Sequence, residues 1–107
     1  MTLQSVDDSS FDGAVLQSPI PVIVLFSDAN KNSSKNMILS LQAAAQDQGA
    51  AVQVLNKAFD KNGHIEKDPA YDVQSAPTTL LFKGGRLVAR LSGFMTTAGF
   101  SRPGSSN

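Results

Sequence analysis

A single α/β domain with a mixed sheet and helices on both faces is predicted by three features of the sequence. The first is the continuous apolar run Val22-Ile23-Val24-Leu25-Phe26, β-branched and aromatic, which suits a strand buried on both faces. The second is the spacing of Met37, Ile38, Leu41, Ala44, Ala45 and Gln48 at i, i+1, i+4, i+7, i+8 and i+11, which defines one face of a helix. The third is a pair of apolar runs, Thr78–Lys83 and Leu87–Leu91, meeting at Gly84-Gly85, the pattern of a β-hairpin.

The remaining elements follow in chain order. Thr2–Val6 suits a short first strand, after which Asp8 or Ser9 supplies an oxygen to cap a helix carrying Phe11, Ala14 and Val15. That helix ends near Ser18-Pro19, because Pro19 and Pro21 lack the N–H needed to continue it. Ser27–Asn36 is polar and belongs at the surface, with Asn32 or Ser33 capping the second helix and Gly49 stopping it. Val52–Leu55 reads as a strand parallel to Val22–Phe26, Asp60–Gly63 as a turn and Pro69–Val73 as a short third helix. The expected order is β-α-β-α-β-α-β-β. Residues 1–100 form the domain, and Ser101-Arg102-Pro103-Gly104-Ser105-Ser106-Asn107 is expected to be a disordered tail.

Composition bounds the chemistry. The 107 residues carry nine basic and nine acidic side chains, so nothing points to nucleic acid or an anionic membrane. There is no cysteine, which removes disulfides, thiolate metal sites and thiol catalysis together. Met1–Ser10 has no basic flank or apolar stretch of the kind that directs secretion, and the longest apolar run falls far short of the ~20 residues that span a bilayer. A cytoplasmic protein without a cofactor is the expectation.

Two stretches carry a family resemblance. One runs from Val6-Asp7-Asp8-Ser9-Ser10-Phe11-Asp12 to Phe26, and the other is Ser75-Ala76-Pro77-Thr78-Thr79-Leu80-Leu81-Phe82-Lys83-Gly84-Gly85, followed by Gly93. Together they resemble thioredoxin over about residues 2–100. The resemblance implies the thioredoxin fold and a cis peptide bond before Pro77. It also implies a shared surface between the Pro77 strand and the loop before the second helix, where the family grips extended peptide. Where the family carries Trp-Cys-Gly-Pro-Cys, this chain has Asn30-Lys31-Asn32-Ser33-Ser34. Lys31 and Ser34 stand at the two cysteine positions, Ser27 and Asn30 where the family has tryptophans, and Leu25 where many members bury an aspartate that assists proton transfer. An uncompensated buried carboxylate is costly, so an apolar Leu25 is consistent with loss of that chemistry. The segment from Asp60 to Pro77 is about two residues longer than usual for the family.

These residues define the candidate site: Asn30, Lys31, Asn32, Ser33, Ser34, Ala76, Pro77, Thr78, Gly93 and Phe94, with no catalytic or metal-ligating residue among them. The leading expectation is a redox-inactive module that binds a protein or extended peptide non-covalently. The alternatives are a degenerate or truncated relative with no retained activity, and a transferase-like enzyme using Ser33 or Ser34 or an anion at the helix end. Met37 is a candidate contact residue or core. Asp60-Lys61-Asn62-Gly63-His64-Ile65 matches only the middle of a calcium loop, since Ala58 and Pro69 fall at its first and last ligand positions. His64 is the only histidine, so no transition-metal site is supported, and as the one general-base candidate among histidines it lies in a loop that the fold is expected to place away from Ser34. Asn32-Ser33-Ser34 matches a glycosylation sequon by chance spacing. After Gly93 the family continues into a final helix, and here Thr96–Phe100 can only begin it before Arg102-Pro103-Gly104 stops it. Part of one sheet face is therefore expected to lie bare and to be covered by a second copy, as in a homodimer through that face, by a partner or by the tail, or else to leave the chain only marginally stable.

Overall fold

The computed structural model describes residues 3–48 and 51–92. Five strands form one sheet: β1 (Gln4–Ser5), β2 (Val22–Ser27), β3 (Gln53–Ala58), β4 (Thr78–Lys83) and β5 (Arg86–Ser92), in the spatial order β1-β3-β2-β4-β5. β3 runs parallel to both β1 and β2, whereas β2–β4 and β4–β5 are antiparallel. The sheet is mixed, with helices on both faces, as the three sequence features require.

The two faces have separate cores. On one, Val22, Val24, Phe26, Leu55, Leu80 and Phe82 pack against Phe11, Val15, Ile65 and Val73. Phe11, Tyr71 and Phe82 meet there as an aromatic trio, with ring centroids 5.5–6.0 Å apart. On the other, Leu25 and Val54 pack against Met37 and Leu41 of α2 (Asn32–Gln48). Met37 is fully buried, so it belongs to the core and not to a contact surface.

The first helix, α1 (Asp8–Phe11), continues through a π-helical segment, Asp12–Leu16, closed by the Gln17 N–H to Asp12 carbonyl bond. Its cap is Asp7, a correction to the expected Asp8 or Ser9. Asp7 Oδ1 accepts the Ser9 and Ser10 N–H groups at 3.0 and 2.9 Å, and Ser10 Oγ accepts the Asp7 N–H in return. The Asp8 carboxylate is engaged elsewhere, as described below. α2 starts at Asn32, earlier than a cap at Asn32 or Ser33 allows. A tight turn explains this: the Lys31 N–H bonds the Asp28 carbonyl, the Asn30 N–H bonds Asp28 Oδ1, and the Lys31 carbonyl already accepts the Lys35 N–H.

The expected third helix over Pro69–Val73 does not form. Residues 63–72 make successive single turns, because Pro69 cannot donate a bond and Asp72 takes a left-handed φ of 55°. β3 extends to Ala58, beyond the expected Leu55. The hairpin turn at Gly84 and Gly85 has φ of 59° and 79°, which suits glycine, and a side chain at Gly85 would lie 2.4 Å from the Leu16 carbonyl oxygen. Gly49, the final helix over Thr96–Phe100 with the bare sheet face it implied, the tail from Ser101, and Gly93 and Phe94 of the candidate site lie outside the described residues. No helix among the described residues is long and apolar enough to cross a membrane.

Candidate functional site

The turn Asp28–Lys31 and the start of α2 sit at the end of β2, because β2 is central and its C-terminal end opens into this loop. The chain leading into β4, the antiparallel neighbour of β2, is thereby brought beside the loop. A direct contact joins the two: Lys31 Nζ donates to the Ala76 carbonyl oxygen at 3.1 Å, across 45 positions of sequence. The Ala76–Pro77 peptide bond is cis.

The predicted residues divide by exposure. Asn30, Lys31 and Asn32 are exposed and Ser33 is half-buried. Ser34 is fully buried, and its Oγ accepts the Asp28 N–H at 3.0 Å, so it ties the loop down and presents no free hydroxyl for attack. Thr78 is likewise buried, donating through Oγ1 to the Ser75 carbonyl. Pro77 and Ala76 are both buried. Ser34, Pro77 and Thr78 thus lie beneath the surface that Asn30, Lys31 and Asn32 expose. Leu25 is fully buried under α2, in an entirely apolar setting. Ser27 turns to Asn56, donating to its Oδ1 at 2.6 Å.

Between the loop and β4 lies an unpaired length of backbone. Gln74 and Ser75 are exposed. Among the described residues, no group accepts the N–H of Gln74, Ser75 or Ala76. The carbonyls of Ser75 and Ala76, by contrast, are taken by Thr78 and Lys31.

A second polar cluster escaped the sequence reading. Lys57 on β3 faces the same side as Leu55, a phase visible in Val54-Leu55-Asn56-Lys57, and its side chain is only 5% exposed. Its ammonium contacts Glu66 Oε2 at 2.8 Å and Asp8 Oδ1 at 3.0 Å, and lies 5.5 Å from the centre of the Phe26 ring. Burial pulls the Lys57 pKa down, but the hydrogen bonds to Glu66 and Asp8 outweigh it and leave it above the ordinary lysine value. The hydrogen bond from Lys57 is the main reason that Asp8 is held below the usual carboxylate range, helped by the His64 N–H. Asp7 is lowered to about 2 by hydrogen bonds, first from the Ser9 hydroxyl. Glu66 Oε2 also accepts the Asp60 N–H, whereas its Oε1 has no partner among the described residues and faces Gly63, where an added Cβ would lie 2.2 Å away. Asp7, Asp8, Lys57 and Asp60 line an open groove of about 500 Å3 beside this cluster. His64 sits in the same region, its backbone bonded to Asp8. No three acidic or histidine side chains among the described residues converge as metal ligands.

No protein-family model matches the chain. Individual proteins do. The thioredoxin of Rickettsia typhi (strain ATCC VR-144 / Wilmington) is 36% identical over 83 residues, 78% of this chain and 77% of its own length. The thioredoxin of Rickettsia bellii (strain RML369-C) is 32% identical over 81 residues, 76% of this chain and 75% of its own length. The thioredoxin of Streptomyces clavuligerus is 29% identical over 102 residues, 95% of this chain and 92% of its own length. With the mixed five-stranded sheet, the helices on its two faces and this similarity over most of the sequence, the chain belongs to the thioredoxin family, as a member that holds no cysteine.

Proposed function

We propose that this protein is a redox-inactive thioredoxin-like module that binds an extended peptide segment of a protein partner, without covalent chemistry, across the Asn30–Ser33 loop and the Gln74–Pro77 edge. The observation that carries this reading is the exposed backbone at Gln74 and Ser75, whose N–H groups meet no acceptor among the described residues, beside the Lys31–Ala76 contact that joins the two segments. Main-chain groups without partners can pair with an extended peptide, with main-chain bonds giving affinity and side-chain contacts giving choice. Catalysis by Ser34 is disfavoured by its burial and by the Asp28 N–H already on its oxygen. Thiol–disulfide exchange needs a thiolate, and the chain has none to offer.

Two measurements test the proposal. Titration with short extended peptides, followed by amide NMR shifts, is expected to move resonances of residues 28–36 and 74–78 together. An insulin-reduction assay is expected to stay at background. Shifts confined to other surfaces would move the site, and reductase activity above background would overturn the reading.

A further inference from the structure

Resting on that reading, we propose that Lys31 selects the peptide, and that the segment preferred is acidic. Lys31 stands between the two halves of the site and spends its ammonium on the one carbonyl that adjoins Pro77. Among the described residues no carboxylate lies within 4.0 Å of Lys31 Nζ, so its charge is solvated and bonded only to a neutral acceptor. Lys35, a turn further along α2, is also exposed. The nearest acidic side chain in sequence, Asp28, directs Oδ1 at the Asn30 N–H.

The polarity of the edge points the same way. The N–H groups of Gln74 and Ser75 meet no acceptor among the described residues, and the carbonyls of Ser75 and Ala76 each already accept a bond from a side chain of the chain itself. A peptide N–H brought to the Ala76 carbonyl shares that oxygen with the Lys31 ammonium. A peptide that brings a carboxylate meets an ammonium that has no carboxylate partner among the described residues and further N–H donors to offer, and the charged acceptor makes the stronger bond. Lys31 therefore favours acidic peptides over neutral ones.

The experiment compares fluorescein-labelled nonapeptides of one extended Ser/Val sequence carrying Glu, Gln or Lys at alternate positions. Anisotropy is measured for wild type, Lys31→Met and Lys31→Arg. Because Lys31 is exposed, both variants are expected to fold, which thermal melting checks. Wild type is expected to bind the Glu peptide about two- to fivefold more tightly than the Gln peptide, the range of an exposed ion pair, and the Lys peptide most weakly. The preference is expected to shrink at about 0.5 M salt, where charges are screened within a few ångströms. Lys31→Arg is expected to keep the preference. Lys31→Met is expected to lose it. Equal binding of the Glu and Gln peptides by wild type, or an unchanged Glu preference in Lys31→Met, overturns the role of Lys31 while leaving peptide binding intact. Absence of binding by any peptide to any of the three proteins overturns the binding reading itself.

Discussion

Removing the Lys57 ammonium with Lys57→Met is expected to be among the most damaging single changes available to this fold. Methionine keeps most of the side-chain volume, so the packing beside Phe26 survives and the change is mainly electrostatic. The two ion pairs that Lys57 makes are unequal. Glu66 is 0% exposed in its side chain and Asp8 43% exposed. The Asp8 arm is screened by solvent and is worth at most about 1 kcal/mol. The Glu66 arm is different, because loss of Lys57 strands a buried carboxylate whose Oε1 is already unpartnered among the described residues and whose Oε2 keeps only the Asp60 N–H. Breaking a buried pair from one side costs about 3–5 kcal/mol. At about 4 °C per kcal/mol for a domain of this size, Tm is expected to fall by roughly 12–20 °C. Replacing both partners, Lys57→Met with Glu66→Leu, removes the stranded charge and leaves only the Asp60 N–H unpaired, a loss of about 1–3 kcal/mol. Urea denaturation of wild type, both single variants and the double variant forms the cycle. A Lys57→Met variant within about 1 kcal/mol of wild type, or a double variant no more stable than Lys57→Met, would refute the argument that burial of Glu66 makes the pair indispensable.

Other expectations follow from the same contacts. Gly63→Ala places a Cβ 2.2 Å from Glu66 Oε1 and is expected to destabilise by about 1–3 kcal/mol, with the loss visible in the same urea titration. Ser34→Ala removes the acceptor of the Asp28 N–H and is expected to cost about 1–3 kcal/mol while leaving any peptide affinity within about threefold of wild type, as calorimetry would check. The folded Asp8 pKa lies below the ordinary 3.8, so its contribution to stability is present above that value and is lost as pH falls through the lower folded value. The folded Lys57 pKa lies above the ordinary 10.5, so its contribution is whole below 10.5 and is lost as pH rises through the folded value; Tm against pH is therefore expected to be flat between these limits and to fall outside them. Asp7, with a folded pKa of about 2 against an ordinary 3.8, is expected to show that midpoint in a carboxyl-carbon NMR titration, and Asp7→Asn is expected to keep the cap while removing this part of the acid dependence.

The sequence alone determined the frame. Val22–Phe26 as a central strand, Met37 and Leu41 as the buried stripe of α2, and the Gly84-Gly85 hairpin all follow from local rules, since burial on two faces, helical period and positive φ each leave a mark on neighbouring residues. The same marks failed where elements are short. Pro69–Val73 has helix-compatible residues, yet the left-handed Asp72 and the packing of Tyr71 against Phe11 and Phe82 hold it as turns. Asp7 outcompeted Asp8 as the cap because Lys57, far along the chain, engages the Asp8 carboxylate. The site was legible as a set of segments, because the departures at Lys31, Ser34 and Leu25 are positions in a recognisable frame. Which of those residues face outward was not. The burial of Ser34 and Thr78, the reach of Lys31 to Ala76 and the pairing of Lys57 with Glu66 are contacts between segments distant in sequence or set by the local path of a loop. No periodicity encodes them, and only the packing of the sheet against its connecting loops decides which polar group finds which partner.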